Sequence, residues 1–397
     1  MLIFIALILF FSPIIFYKSN LIKLFLVIYS YPIFIISMMC FNYDVGRIIK
    51  QTGLNYYNKQ DIITSITPLI ISYISILLIL IPYRKKTFNL KPISLGIPSR
   101  LILFLIFFII SFIAYPKAMG ISDTVRYNLI FGSWGGIFNV LSIFIIFSKS
   151  KKYDIINILT YSVLIICFLS GERADTIITI ILLFLLKKDN NCNIVEKNIS
   201  TIKLSLILIF FSVFGSFIGV IRADTQIQDL SLFITKSLLS VGTVIDVIHV
   251  YLSSIWYVEY NGHSFVPLNN ILKSFIPFAG GGGVGSEENI TWFLNNYIPN
   301  VGGGLFYSPF YIAFSSYGVF LFNIFYILFF ISTFKTNNNY IKYIFIIFFI
   351  MQCRIQWYGV TYFFTSLKLT ILFIIIIYFL KKVTKNKLNN EKNIIHK

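Results

Sequence analysis

The chain has 397 residues, a net charge of +18 from 33 Lys and Arg against 15 Asp and Glu, and 57% hydrophobic against 12% charged residues. A soluble domain carries about twice that charged fraction, so this composition, with a mean hydropathy of +0.83, excludes an ordinary soluble fold and points to a polytopic membrane protein. The excess positive charge would suggest nucleic acid in a soluble chain, but here Lys and Arg sit at the ends of apolar runs, as in cytoplasmic loops, and no nucleic-acid partner is expected.

Apolar runs of this length can cross a bilayer only as helices, because lipid offers the backbone no hydrogen bonds. In chain order the runs predict helices over Leu2 to Phe16, Leu21 to Phe41, Ile62 to Ile81, Leu101 to Tyr115 and Leu129 to Phe147. Ile155 to Leu169, Ala174 to Leu186 and Leu204 to Ile221 follow; Leu305 to Phe334, Ile341 to Met351 and Val360 to Leu380 complete the set. The fold class is therefore an all-α polytopic membrane protein of about eleven crossings. The first 221 residues form an N-terminal bundle, 222–304 a large external loop with an interfacial amphipathic helix, 305–384 the C-terminal crossings and 385–397 a basic tail. The N-terminus lacks the basic region and small-residue cleavage site of a secretory signal, so the first helix is expected to be retained. Cys40, Cys167, Cys192 and Cys353 show no CxxC spacing, which indicates neither a disulfide framework nor a zinc site.

Basic residues are retained on the cytoplasmic side. Placing Lys18 and Lys23 inside puts Arg84 to Lys91, Arg100, Lys149 to Lys152, Lys187 to Lys203, Lys335 and Lys342 inside by alternation. The N-terminus is then outside and the tail from Lys381 inside. A further crossing at Leu230 to Tyr257 would expel that basic tail, so this segment is expected to be interfacial or re-entrant. As a helix it carries Lys236, Ser240, Thr243, Asp246, His249 and Ser253 as one polar stripe on an apolar body.

The same topology gathers the few external charges on one face: Gly171-Glu-Arg173-Ala-Asp175-Thr176 at a helical hairpin, Arg222-Ala-Asp224-Thr225 after a crossing, and Gln352-Cys-Arg354-Ile-Gln356-Trp-Tyr358 between the last two. A guanidinium presents a planar fork that suits phosphate oxygens. An arginine at a helix end also snorkels to headgroups or pairs with a nearby acid, as Asp175 and Asp224 allow for Arg173 and Arg222; Arg354 has no such neighbour in sequence. The glycines from Gly280 to Gly285 lack the GxxxxGK[ST] pattern and a preceding strand, so they read as a hinge or substrate-conforming loop rather than a nucleotide cradle. For proton transfer the candidates are Asp246 and His249, one helical turn apart, with His263, Glu287, Glu288, Glu172 and Asp175 beside them. No HExxH or Asp-x-Asp indicates a metal, and no cofactor is expected.

About eleven helices with short cytoplasmic turns, one large external loop and external arginines on either side of it resemble the O-antigen polymerase (Wzy-type oligosaccharide repeat unit polymerase) family. The likeness is carried by Gly171 to Thr176, Gly219-Val-Ile-Arg222, Asn269 to Pro277 and Gly302 to Gly318. An Arg followed after ten residues by Gly, described for some members, is not met from Arg173 or Arg222, where the eleventh following residues are Phe184 and Phe233. The resemblance implies a GT-C-like, metal-independent membrane glycosyltransferase of the bacterial inner membrane. Such an enzyme transfers a growing glycan from undecaprenyl diphosphate to a newly flipped lipid-linked repeat unit, alongside a flippase and a chain-length regulator. On that reading Arg173, Arg222 and Arg354 bind the diphosphates; Asp246, His249 or Glu288 is the base; His263, Lys273, Gly282 and Tyr307 belong to the substrate loop. An O-antigen ligase, kept open by His263, and a lipid-linked oligosaccharide flippase are the competing readings, and an assembly partner without activity is a third.

Overall fold

The computed structural model describes residues 8, 10–13, 15–39, 59–115, 134–148, 154–169, 174–189, 193–222, 233, 242–275, 289–300, 303–359 and scattered positions between 364 and 379. Its helices are α1 (Asn20–Met39), α2 (Lys59–Leu80), α3 (Ile97–Ala114), α4 (Trp134–Ile146), α5 (Ile155–Leu169), α6 (Ala174–Leu185) and α7 (Thr201–Arg222). After these come α8 (Gly242–Asn261), α9 (Val266–Phe275), α10 (Ile290–Asn295), α11 (Ser308–Lys335), α12 (Asn339–Ile350) and α13 (Gln352–Tyr358). The fold is a helical membrane protein. Among the described residues four segments are long and apolar enough to cross a bilayer: Asn20–Ser37, Ile63–Tyr83, Ile97–Ala114 and Ser308–Lys335.

The remaining expected crossings come out as shorter apolar helices or fall outside the described residues, as most of Leu2 to Phe16 and much of Val360 to Leu380 do. Local chemistry sets several ends. α3 starts four residues before the expected Leu101, because Gly96 is extended and Pro98 sits in the first turn, where its missing N–H costs nothing. α12 is opened by the Asn338 side chain, which accepts from Tyr340 N at 2.9 Å. The stretch from Gln352 to Tyr358, expected as a turn, is the separate short helix α13, closed by Gly359 at φ 104°.

Burial ranks the helices. In α1, 83% of the apolar window is buried, against 39% in α3, so α1 is the axis and α3 an outer wall. Phe25 of α1 lies against Phe330 of α11, ring centroids 3.8 Å apart, and the Tyr29 hydroxyl donates to Asn323 Oδ1. α2 packs on α11 and α8, α3 on α4 and α5, and α6 on α12. Leu101, Leu105 and Ile109 of α3 and Leu206, Ile209 and Phe210 of α7 are exposed, which is the outward apolar surface a lipid-facing helix requires.

The described basic turns meet at one end of the bundle, and short strands lie among them. β1 (Asn89–Leu90), β2 (Leu186–Lys188) and β3 (Ile194–Glu196) form an antiparallel sheet in the order β1-β3-β2. Ser19 and Leu21 N donate to Glu196 Oε1, Asn20 to Lys197 O, Lys18 N to Arg84 O, Lys188 to Ser148 O and Lys342 to Asn89 O. Arg100 pairs with Asp154 and donates to Asn157 Oδ1 at 3.0 Å. This sheet has no signature in the sequence, since its strands are two or three residues long.

α11 is broken at Phe314 and at Ser315, whose φ of 51° and ψ of −144° lie where an L residue is strained. The segment before the break, Ser308 to Ala313, stays at the far end of the bundle; α8 docks on it and on the start of α2. Tyr251 of α8 donates to Ser65 O at 3.0 Å and meets Tyr307 and Tyr311 edge-on. The polar stripe therefore does not face water throughout: His249 and Ser253 are buried at 1% and 0% exposure. Protein covers part of the face that the helical spacing marks as polar, where His249 Nε2 meets Pro299 O from the segment after α10. Lys236 and Ser240 of that stripe lie outside the described residues.

Candidate functional site

The end opposite the basic turns collects polar side chains from four helices. α3 runs from Arg100 to this end and closes on Tyr115; α4 and α6 start here and run back toward the sheet; α12 arrives from Asn339 and hands over to α13. Arg354 of α13 is half-buried. A Cβ on Gly135, in the first turn of α4, would stand 3.8 Å from its Nη2 and 3.2 Å from the Tyr115 hydroxyl oxygen. Gly135 thus opens the slot in which the guanidinium and the phenol approach the α4 backbone.

Tyr115 is the centre of a small polar array. Its hydroxyl lies 3.4 Å from Thr176 Oγ1 and accepts from Asn139 Nδ2 at 3.4 Å. Asn139 Nδ2 also donates to Gly135 O at 2.9 Å, while its Oδ1 is buried with no partner among the described residues. Beside Arg354, Gln352 donates to Phe25 O at 2.9 Å and its Oε1 is likewise unpartnered among the described residues. Gln356 is buried against Tyr326, and its carbonyl accepts from Phe306 N at 3.1 Å. A buried amide oxygen without a partner costs on the order of 1 to 3 kcal/mol, so these oxygens call for a donor beyond those the described residues supply.

Of the residues expected to bind diphosphate, Arg354 lies in this array. Arg173 falls outside the described residues, three positions before the Thr176 that approaches Tyr115. Arg222 closes α7. Of the candidate bases, Asp246 and His249 sit one turn apart on α8, which packs on α13. Burial raises the Asp246 carboxyl above its usual range. Burial lowers the His249 imidazole, partly offset by its hydrogen bond to Pro299 O. That bond, Nε2 to Pro299 O at 3.0 Å, requires the proton on Nε2 in the neutral ring and leaves Nδ1 as the basic nitrogen. Glu288 and Gly282 lie outside the described residues.

The substrate-loop residues separate. His263 is exposed, with Nδ1 3.2 Å from Ile312 O. Lys273 is exposed in the last turn of α9. Tyr307, which the resemblance assigned to the substrate loop, is a core residue at 2% exposure, wedged between Tyr251 and Phe306. Sequence reasoning missed Tyr115, Gly135 and Asn139. The paired glycines Gly135 and Gly136 inside an apolar helix were the available signal, since each costs the helix about 1 kcal/mol unless a close approach needs it. No protein-family model, curated protein or solved structure matches the chain.

Proposed function

We propose that this protein is a metal-independent membrane glycosyltransferase that polymerises undecaprenyl-diphosphate-linked oligosaccharide repeat units at the outer face of the bacterial cytoplasmic membrane. The observation that carries the reading is Arg354, half-buried beside Gly135 and Tyr115, with Thr176 of α6, three positions after Arg173 in sequence, reaching the same array. A cation held at membrane depth at the end away from the basic turns suits the diphosphate of a lipid-linked sugar.

In the reaction, a hydroxyl of the incoming repeat unit attacks the anomeric carbon of the growing glycan as the bond from that carbon to the diphosphate oxygen breaks. His249 Nδ1 or the Asp246 carboxylate takes the hydroxyl proton. The bond electrons leave on undecaprenyl diphosphate, whose charge Arg354, Arg173 and Arg222 offset, so that no divalent ion is needed. The N-terminus lies outside and the C-terminus inside, which keeps the basic turns cytoplasmic.

The test is the surface glycan ladder of a deletion strain complemented with wild type or Arg354→Ala. Polymerase predicts that the deletion leaves a single repeat on its acceptor, that wild type restores the ladder, and that well-expressed Arg354→Ala does not. Disappearance of the single repeat as well would replace this reading by a ligase, if lipid-linked units accumulate on the outer leaflet, or by a flippase, if they accumulate on the inner one.

A further inference from the structure

α9 stands beside the kink of α11 at the far end of the bundle. Its buried face, with Pro267, Asn270 and Ile271, packs on α11. Its other face exposes Val266, Asn269, Leu272 and Lys273, with Phe265 just before the helix; Phe265 is 56% and Leu272 61% exposed. In water this would be an apolar patch without a use. The patch does not end at α9. Phe265 meets Phe314 edge-on at 5.4 Å, and beyond Phe314 the exposed residues Tyr317, Leu321, Phe325 and Leu328 continue at steps of three and four along the outer side of α11. That stripe is the lipid-facing side of a helix long and apolar enough to span.

The kink also fixes the depth. From residue 316 to Lys335, α11 rises about 1.5 Å per residue, roughly 30 Å in all, which matches the hydrocarbon thickness of a bilayer. With Lys335 among the basic turns at one headgroup level, the Phe314–Ser315 break falls at the other. α9 is fastened to that level by two bonds to Ile312 O, from Ser264 N at 3.2 Å and through His263 Nδ1 at 3.2 Å, after a turn in which Gly262 takes φ +78°.

We infer that α9 lies in the membrane interface opposite the basic turns, with Phe265, Val266 and Leu272 among the outer acyl and headgroup atoms of the lipid. The occupant of its exposed face is the bilayer, because the face is continuous with the lipid-facing stripe of α11 and sits at the depth where that span ends. The inference does not depend on the proposed transferase activity. It makes Val266–Phe275, rather than the segment ending at Tyr257, the amphipathic surface helix of the external region.

The experiment places a nitroxide on Leu272→Cys in the full-length protein reconstituted into phosphatidylglycerol/phosphatidylethanolamine vesicles. Phe325→Cys is the lipid-facing reference and exposed Asn337→Cys the aqueous one, with signal from native cysteines subtracted using the unsubstituted protein. Accessibility to oxygen exceeding that to a water-soluble nickel chelate, as at position 325, is the expected result. Nickel accessibility equal to that at position 337 overturns it, and so does a label shielded from both colliders, which would mean that a second copy or another protein covers the helix. Leu272 is exposed, so the label does not disturb the core.

Discussion

The Ser19 hydroxyl donates to Glu196 Oε1 at 2.6 Å, joining the turn before α1 to β3 across 177 positions of the chain. Leu21 N donates to the same oxygen at 3.2 Å, so one carboxylate holds the start of the central helix against the sheet. Glu196 Oε2 is buried without a partner among the described residues.

Burial pushes the Glu196 carboxyl up to about 7 from 4.5, against the downward pull of Ser19, Leu21 and Lys23. A carboxyl whose folded value is raised binds its proton more tightly in the native state. Its contribution to stability is therefore full below pH 4.5 and is lost as pH rises through about 7. The shift amounts to roughly 3 kcal/mol. Glu196→Gln keeps an acceptor for Ser19 and removes the charge, so it should unfold at higher temperature than wild type near pH 8 and lose most of that advantage near pH 4. Thermal unfolding in detergent across this range decides; a variant less stable than wild type at every pH would mean that the charge itself holds the turn.

His249 carries the opposite slope. Burial lowers its imidazole below 6.5, so the stability gained by keeping it neutral is present above pH 6.5 and is lost as pH falls below that value. His249→Gln should therefore narrow the difference in unfolding temperature between about pH 5 and pH 8. If His249 is the base, polymer synthesis should also fall by about a hundredfold or more at every pH. Loss of the pH slope with full activity would leave Asp246 as the base.

Gly318 is a packing requirement at the α11 kink. A Cβ there would meet the Phe310 carbonyl oxygen at 2.2 Å and the Phe310 carbonyl carbon at 2.9 Å, and a backbone carbonyl cannot swing aside. Gly318→Ala should destabilise by about 2 to 4 kcal/mol. Gly262→Ala is the control: nothing lies within 4 Å of its Cβ, and only the φ of +78° opposes it, at about 1 kcal/mol. Equal unfolding temperatures for the two variants would show that α11 reaches Gly318 by a different path.

Gly135 allows stability and function to be separated. Alanine should stabilise α4 by up to about 1 kcal/mol through helix propensity. Its Cβ, however, would press on the Tyr115 hydroxyl at 3.2 Å, beside Arg354 Nη2, which it would meet in ordinary contact at 3.8 Å. Gly135→Ala is expected to unfold no earlier than wild type yet to shorten the glycan ladder. Arg354→Lys, which keeps the charge and loses the planar fork, should cost about a hundredfold in synthesis. Full activity in both variants would remove Arg354 from the site.

The sequence by itself determined the class of the protein and much of its arrangement. Apolar run length and backbone desolvation require helices, and among the described residues the turns at Lys18, Arg84, Lys188, Lys197 and Lys342 lie at one end, where hydrogen bonds tie Lys18 to Arg84, Lys197 to Asn20 and Lys342 to Asn89. Arg354 stood out because it lies between two apolar helices. Three things depended on tertiary structure, because each is a relation between distant segments that local pattern does not encode. His249 of α8 is buried where the segment after α10 brings Pro299 O onto the polar stripe. Tyr307 is core because α11 begins with a buried segment before its kink. Tyr115, Asn139 and Thr176 meet beside Gly135 and Arg354 only because α3 ends, and α4 and α6 begin, at the level of α13. Helical spacing fixes which residues share a face of one helix, whereas the packing of neighbouring helices decides whether that face meets water, lipid or another side chain.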